Sequence, residues 1–278
     1  MGETLLIDTM HLGLDRVIGA WSKDGVIIDP GPSNTVDNVL AGIEGGEPRA
    51  VLLTHIHLDH AGATGTLVER FPDIPVYVHE VGAPHLIDPS RLLRSAGRLY
   101  GDDMHRLWGD VLAVPEANIT TLAGGETVEG MRVLATPGHA SHHVSYFDPE
   151  RGDVFVGDTG GVRIPPGETV WSATPPPDIE IDLWRESLAA IAALEPERLM
   201  LTHFGSVEDP LRHLADAERE LLAAAESARA GDREAFLEDL EARIDSGPAD
   251  LAPRIRSATP PEQGWLGLER YWRKREGD

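Results

Sequence analysis

The chain has 278 residues, 24 of them basic and 47 acidic, for a formal charge of −23; 41% are hydrophobic and none is cysteine. So acidic a surface disfavours nucleic acid as a partner, because phosphate binding needs clustered positive charge. The absence of thiols excludes disulfides, cysteine-ligated zinc, iron–sulfur centres and cysteine nucleophiles, so any metal must rest on histidine and carboxylate.

The apolar content is enough for a sizeable core, and one large globular domain with an appendage is expected. Residues 1–13 have neither a basic start nor a long apolar run, and nowhere do about 18 consecutive apolar residues occur. A soluble, cytoplasmic protein that binds no membrane is the expectation.

In chain order, the first aliphatic runs are Val26 to Ile28, followed by Asp29, Pro30 and Gly31, and Ala50 to Leu53. Each reads as a strand that ends in a turn or functional loop. The second run delivers LTHIHLDHAG, which packs His55, His57, Asp59 and His60 into six residues. Random placement would give HxHxDH in this chain with probability on the order of 10⁻³. On an extended or turning backbone the two imidazoles of H-x-H can converge on one ion, while the Asp-His pair after the bend faces a neighbouring position.

A third strand is expected at Val76 to Val78. Residues 84–115 then form an insertion bearing Leu86, Leu92, Tyr100, Met104 and Trp108 at helical spacing. That spacing is first a packing face, and part of the segment is expected to line an apolar acyl pocket. Strands follow at Arg132 to Ala135, Val144 to Phe147, Val154 to Val156 and Leu199 to Leu201. Three more residues able to bind metal each come at the end of a predicted strand: His139 in TPGH, Asp158 in VGDT and His203 in LTHF. Residues 165–177, with Trp171, are a candidate opposite wall of the pocket. Trp184, Leu188 and Ile191 repeat at helix spacing.

Two pairs of segments look duplicated: VLLTH at 51–55 with LMLTH at 199–203, and VIIDPG at 26–31 with VFVGDTG at 154–160. Two similar halves facing each other would bring these strand ends together. Beyond His203 the pattern turns helical. Asp209 and Pro210 read as N-cap and first helical residue, Gly231 as a stop and Asp232 as a second cap, so 210–278 is expected to be a helical C-terminal extension of a catalytic domain spanning 1–209. The basic cluster Arg270, Arg273, Lys274 and Arg275 reads as a solvated helix face.

Five histidines and two aspartates suffice for two metal sites of three ligands each, with one carboxylate shared. Over residues 20 to 210 the order Asp29, HxHxDH, His139, Asp158, His203 resembles the successive motifs of the metallo-β-lactamase fold superfamily, and most of all its dinuclear hydrolases of the glyoxalase II-like and lactonase-like kinds. The resemblance implies an αββα sandwich of the α/β class with the site at one edge of two sheets. It further implies that His55, His57 and His139 bind one divalent ion and Asp59, His60 and His203 a second, with Asp158 bridging. Zinc is the expected metal, with iron or manganese as alternatives.

Such a pair of ions supplies hydroxide near neutral pH and polarises a carbonyl oxygen, with Asp59 and Asp158 as the catalytic carboxylates. The implied reaction is hydrolysis of a small ester, thioester or lactone. Asp29 is expected to support the site by hydrogen bonds rather than to bind metal, as is one of His142 and His143. His11, His79, His85, His105 and His213 match no motif and read as ordinary polar residues.

The motifs also separate members of the family. The β-lactamases that use a cysteine ligand are excluded, and flavodiiron enzymes place glutamate where His57 stands. RNase Z-like enzymes share HxHxDH, but a tRNA substrate conflicts with the −23 charge. Several lactonases carry a tyrosine where Gly161 stands, and the helical tail holds no counterpart of glutathione-binding positions. Two other readings stay open: a mononuclear iron persulfide dioxygenase using His55, His139 and Asp158, and a metal-binding protein without turnover.

Overall fold

A computed structural model describes residues 3–43 and 45–277. Twelve strands among them form two six-stranded sheets. The first runs in sequence order through β1 (Thr4–Asp8), β2 (Gly19–Lys23), β3 (Val26–Ile28), β4 (Ala50–Leu52), β5 (Val76–His79) and β6 (Ile119–Leu122). The second comprises β7 (Thr127–Val128), β8 (Met131–Ala135), β9 (Val144–Asp148), β10 (Asp153–Phe155), β11 (Arg198–Leu201) and β12 (Gly205–Val207), again in sequence order from one edge to the other.

Strand alternation builds the layers. Val26, Ile28, Ala50 and Leu52 meet Phe155 and Met200 in a core between the sheets, whereas Ile27, Val51 and Leu53 turn outward. There they pack under α1 (Val36–Gly42) and α3 (Thr64–Arg70), with the one-turn α2 (Leu58–Ala61) between them in sequence. On the second sheet Val154, Leu199 and Leu201 face outward, beneath α7 (Ile181–Ala192). The result is the αββα sandwich read from the sequence, with apolar residues consumed on both faces of each central strand.

The insertion folds as α4 (Ala83–Ile87), α5 (Ser90–Tyr100) and α6 (Met104–Trp108). Residues 210–276 form α8 (Pro210–Arg229), α9 (Arg233–Asp245), α10 (Ala252–Ala258) and α11 (Pro261–Glu276). Asp209 caps α8 by accepting from Arg212 N, and Asp232 caps α9 by accepting from Ala235 N. Leu214, Leu221, Trp265 and Leu268 share one apolar cluster with Trp184 and Leu188 of α7, so the extension continues the core over the second sheet. No helix among the described residues is long and apolar enough to cross a membrane.

The duplicated segments occupy matching places. β3 and β4 pair in parallel in one sheet, as β10 and β11 do in the other. All four strands end at the same edge of the sandwich, and their following residues meet there.

Candidate metal centre

Four histidines of the edge cluster are each aimed by a hydrogen bond at the far nitrogen. Asp29, directly after β3, accepts from Thr54 N at 2.8 Å, from Thr54 Oγ1 at 2.7 Å and from His60 Nδ1 at 2.7 Å. Because the Thr54 hydroxyl proton goes to Asp29, His55 Nδ1, 3.0 Å from that oxygen, donates to it. His139 Nδ1 donates to Ala173 O at 2.9 Å, and His203 Nδ1 to Val17 O at 2.6 Å. In all four rings the proton sits on Nδ1 and the Nε2 lone pair is left to point inward.

Those lone pairs converge in two groups. His55, His57, His139 and Asp158 offer ligand atoms within 4.8 Å of one another, as do Asp59, His60, Asp158 and His203. Asp158 belongs to both: its Oδ2 lies 3.2 Å from His139 Nε2 and 3.8 Å from His55 Nε2, and its Oδ1 lies 3.1 Å from His60 Nε2 and 3.4 Å from His203 Nε2. Asp59 Oδ2 completes the second group at 3.6 Å from His203 Nε2 and 3.9 Å from His60 Nε2. His57 differs in presenting Nδ1, 2.9 Å from both His55 Nε2 and His139 Nε2.

A divalent cation fits these residues. Ligands about 2.0–2.1 Å from a tetrahedral ion lie roughly 3.3 Å apart, in the range just given. His60 Nε2, His203 Nε2 and Asp158 Oδ1 are buried and make no hydrogen bond despite their proximity. Three such atoms turned toward one another lack the positive charge or proton that would satisfy them.

The electrostatics agree. Burial, then the neighbouring imidazoles, pulls His55 well below the ordinary histidine range. Burial lowers His139 to about 4, against the pull of Asp158. For His60 burial also opposes charge, but the carboxylates of Asp158, Asp29 and Asp59 outweigh it and hold the ring well above its ordinary value, so that without an ion a proton on Nε2 takes the place a cation would fill. Asp158 is held well below the carboxylate range: burial works against its charge, and His60, His139 and His203 overcome it.

The loops carrying these residues are clamped to the fold. Ahead of Asp158, Gly157 has φ +46°, and a Cβ there would stand 2.5 Å from Thr54 Oγ1 and 2.6 Å from His143 Nε2. Gly138, at φ +135°, brings the chain so close to Trp184 that a Cβ would lie 2.3 Å from its Cα. α7 fastens both segments, through Trp184 Nε1 donating to Thr159 O and Ser187 Oγ to Pro137 O. His213 of α8 lies 2.7 Å, through Nε2, from Gly160 O.

A cavity of about 580 Å³ opens over the centre, with His57, Asp59 and Asp158 at its base. One wall is the insertion, through Ala96, Leu99, Tyr100, Leu107 and Trp108; another is the stretch from Trp171 to Pro177. α9, α10 and α11 supply the third, with Phe236, Leu240, Arg243 and Gln263 among its residues. The Tyr100 hydroxyl donates to Gln263 Oε1 at 3.3 Å, joining the first wall to the third.

Residues 22–203 match the family model of the metallo-beta-lactamase superfamily. The chain belongs to that superfamily. Hydroxyacylglutathione hydrolases of Yersinia pestis and Yersinia enterocolitica are 33% identical over 139 residues, which is 49% of this chain and 43% of theirs. The chain thus matches less than half the length of these relatives. An archaeal metallo-beta-lactamase superfamily protein, ST1585 from Sulfolobus tokodaii, shares the fold with a TM-score of 0.72 at 21% identity, over 96% of this chain and 98% of its own. TTHA1623, solved in a di-iron-bound form, aligns with a TM-score of 0.52 at 27% identity, over 76% of this chain and 92% of its own.

Within this member of the superfamily, all seven residues read from the sequence as ligands come together. Asp29 sits behind them, as expected. His143 also supports the centre: its Nε2 accepts from Asp158 N at 3.2 Å and its Nδ1 lies 2.9 Å from Thr136 Oγ1, while neither His142 nor His143 joins a metal-binding group. At Gly161 the backbone has φ +73° and a Cβ would stand 2.8 Å from Trp171 O, so the lactonase tyrosine has no room there.

Two parts of the site were not anticipated. The C-terminal helices line the cavity, although the sequence marked 210–278 only as a helical extension. His11, read as an ordinary polar residue, is 2% exposed and lines the cavity. Nothing in its local sequence marks it, because its place depends on the backbone path between β1 and β2.

Proposed function

We propose that the protein is a metal-dependent hydrolase of a small ester, thioester or lactone. His55, His57 and His139 would hold one divalent cation and Asp59, His60 and His203 a second, with Asp158 shared by both groups. The observation that carries this reading is the division of Asp158, one oxygen toward each group of histidines. Zinc suits imidazole and carboxylate donors, and the di-iron form of TTHA1623 keeps iron as an alternative. The hydroxyacylglutathione hydrolase relatives support thioester cleavage as a chemistry open to this chain.

When bound, the two ions supply hydroxide near neutral pH and polarise the substrate carbonyl. The protein's own groups do the rest. Asp59 is the most accessible carboxylate of the two groups, its side chain 23% exposed at the cavity base, and is placed to accept the attacking water's proton. The apolar walls exclude water and hold the acyl part, and the hydrogen bonds to Asp29, Ala173 and Val17 keep the imidazoles in position as charge develops. Two complete ligand groups favour this reading over a mononuclear dioxygenase, which needs one.

The test is metal content per chain, measured on the same preparation as a panel of esters, thioesters and lactones. About two equivalents of metal and turnover of at least one class are expected. Stoichiometric metal with no turnover of any class, or oxygen uptake with a persulfide instead, would overturn the proposal.

A further inference from the structure

We propose that His11 is a substrate-binding residue: seated on Trp108 in the cavity wall, its imidazole hydrogen-bonds an oxygen of an uncharged carbonyl substrate whose apolar arm fills the cavity. The inference rests on the hydrolase reading above and names the substrate class for that site.

Four observations carry it. The first is an unmet hydrogen bond. His55, His60, His139 and His203 all use Nδ1 to bond an oxygen, whereas buried His11 Nδ1 has no partner, nor does buried Trp108 Nε1. A buried polar group left unpaired costs about 1–3 kcal/mol; Nδ1 is enclosed, and Nε2, engaged by no hydrogen bond among the described residues, is the nitrogen left for a ligand oxygen. The His11 and Trp108 rings stack with centroids 5.4 Å apart and planes at 13°, which fixes the orientation of the imidazole.

The second is strain. Met10 and Leu12 flank His11 with φ +55° each, and Arg16 follows at +57°. Left-handed backbone costs a residue with a Cβ about 1–2 kcal/mol. The conformation is held by Asp8, whose carboxylate accepts from Met10 N at 2.9 Å and from Arg16 N at 2.7 Å. Strain of this kind, fastened by dedicated hydrogen bonds, presents His11 to the cavity.

The third is charge state. Burial lowers His11 to about 4 against the opposing carboxylate of Asp59, with His203 and Arg106 lowering it further. A neutral ring has one N–H and one lone pair, and so can donate to a carbonyl or accept from a hydroxyl.

The fourth is the balance of the cavity. Asp59, Asp158, Glu220 and Asp239 line it, and its two arginines are already paired, Arg243 with Glu220 and Arg256 with Glu241 and Asp245. Away from the metal groups, an anionic tail would find both lining arginines already paired and would meet the carboxylate of Asp239. An uncharged molecule of modest size suits the space.

His11→Phe keeps a ring against Trp108 and removes both nitrogens; His11→Gln restores a donor and an acceptor. With the zinc-loaded full chain and p-nitrophenyl hexanoate, the Phe variant should lose about tenfold or more in kcat/KM, an order of magnitude that a single hydrogen bond supplies. The Gln variant should recover part of it, and the melting temperature of the Phe variant should not fall, since the substitution removes an unpaired buried nitrogen. A second measurement needs no turnover: 2-octanone, which has a carbonyl but no scissile bond, is titrated into the metal-free chain and followed by tryptophan fluorescence. Phe should weaken its binding by a similar factor. Equal ketone affinity in wild type and the Phe variant, or tighter binding of octanoate than of the ketone, would overturn the inference. Absence of turnover on every substrate overturns the hydrolase reading instead, and the ketone titration still reports on His11.

Discussion

Asp29 Oδ2 accepts the Nδ1 proton of His60 at 2.7 Å, with neither side chain exposed. The same carboxylate also bonds Thr54 N and Thr54 Oγ1, and Thr202 Oγ1 lies 3.3 Å from it. One side chain therefore sets the tautomer of His60 directly and that of His55 through Thr54, and so orients a ligand in each group. Asp29→Asn keeps the size but replaces one oxygen by an amide that cannot accept. We expect metal affinity to fall about 10–100-fold, the usual range for losing such a partner. Zinc titration against a competing chelator measures it, and unchanged affinity would show that the imidazoles need no such orientation.

Asp158 is the one residue common to both groups. Asp158→Ala removes an oxygen from each group and leaves His60, His139 and His203 without the carboxylate they face. Metal content should drop below one equivalent and turnover by about three orders of magnitude or more, a loss of roughly 4 kcal/mol in transition-state stabilisation. Elemental analysis beside initial rates decides this, since full activity with two metals retained is incompatible with a bridging role.

The centre was legible because its residues follow directly from strands whose apolar runs are unmistakable. β3, β4, β8, β10 and β11 each have alternating or continuous aliphatic side chains, and the residues of the two candidate groups lie within a few positions of their ends. Caps Asp209 and Asp232 announced α8 and α9 for an equally local reason. β2 escaped notice because its sequence, GAWSK, holds few strand-forming residues although all five are buried. β7 and β12, of two and three residues, are too short to show a period. The cavity wall from α9 was hidden differently: Phe236 and Leu240 have the spacing of any packed helix, and no periodicity tells a face on a core from one on a cavity. His11 depends on left-handed Met10 and Leu12, which no glycine signals.

Lys23 of β2 and Asp148 of β9 form a buried ion pair that ties the two sheets together away from the metal centre. Removing one partner leaves the other charge in a place where water cannot reach it. Asp148→Ala should therefore destabilise the protein by about 3–5 kcal/mol, whereas a double replacement by Met at 23 and Leu at 148 should cost much less. Urea unfolding of the single and double variants measures both. A single variant within about 0.5 kcal/mol of wild type would mean that the pair is solvated in practice.

The burial of His11 also sets a pH dependence of stability. Its folded value, about 4, lies below the 6.5 of an exposed histidine, chiefly through burial. Between those values the unfolded chain binds a proton that the folded chain refuses, so stability rises with pH across this window. The contribution is complete above about 6.5 and is lost as pH falls toward 4. Phenylalanine at position 11 has no proton to take up. The wild-type chain should therefore lose more stability than His11→Phe when both are taken from pH 7 to pH 4.5 without metal. Burial also lowers other histidines, His142 and His213 among them, and the difference between the two proteins cancels them. Melting temperatures at matched pH values give that difference directly; parallel curves would show that His11 is hydrated and not held neutral by its surroundings.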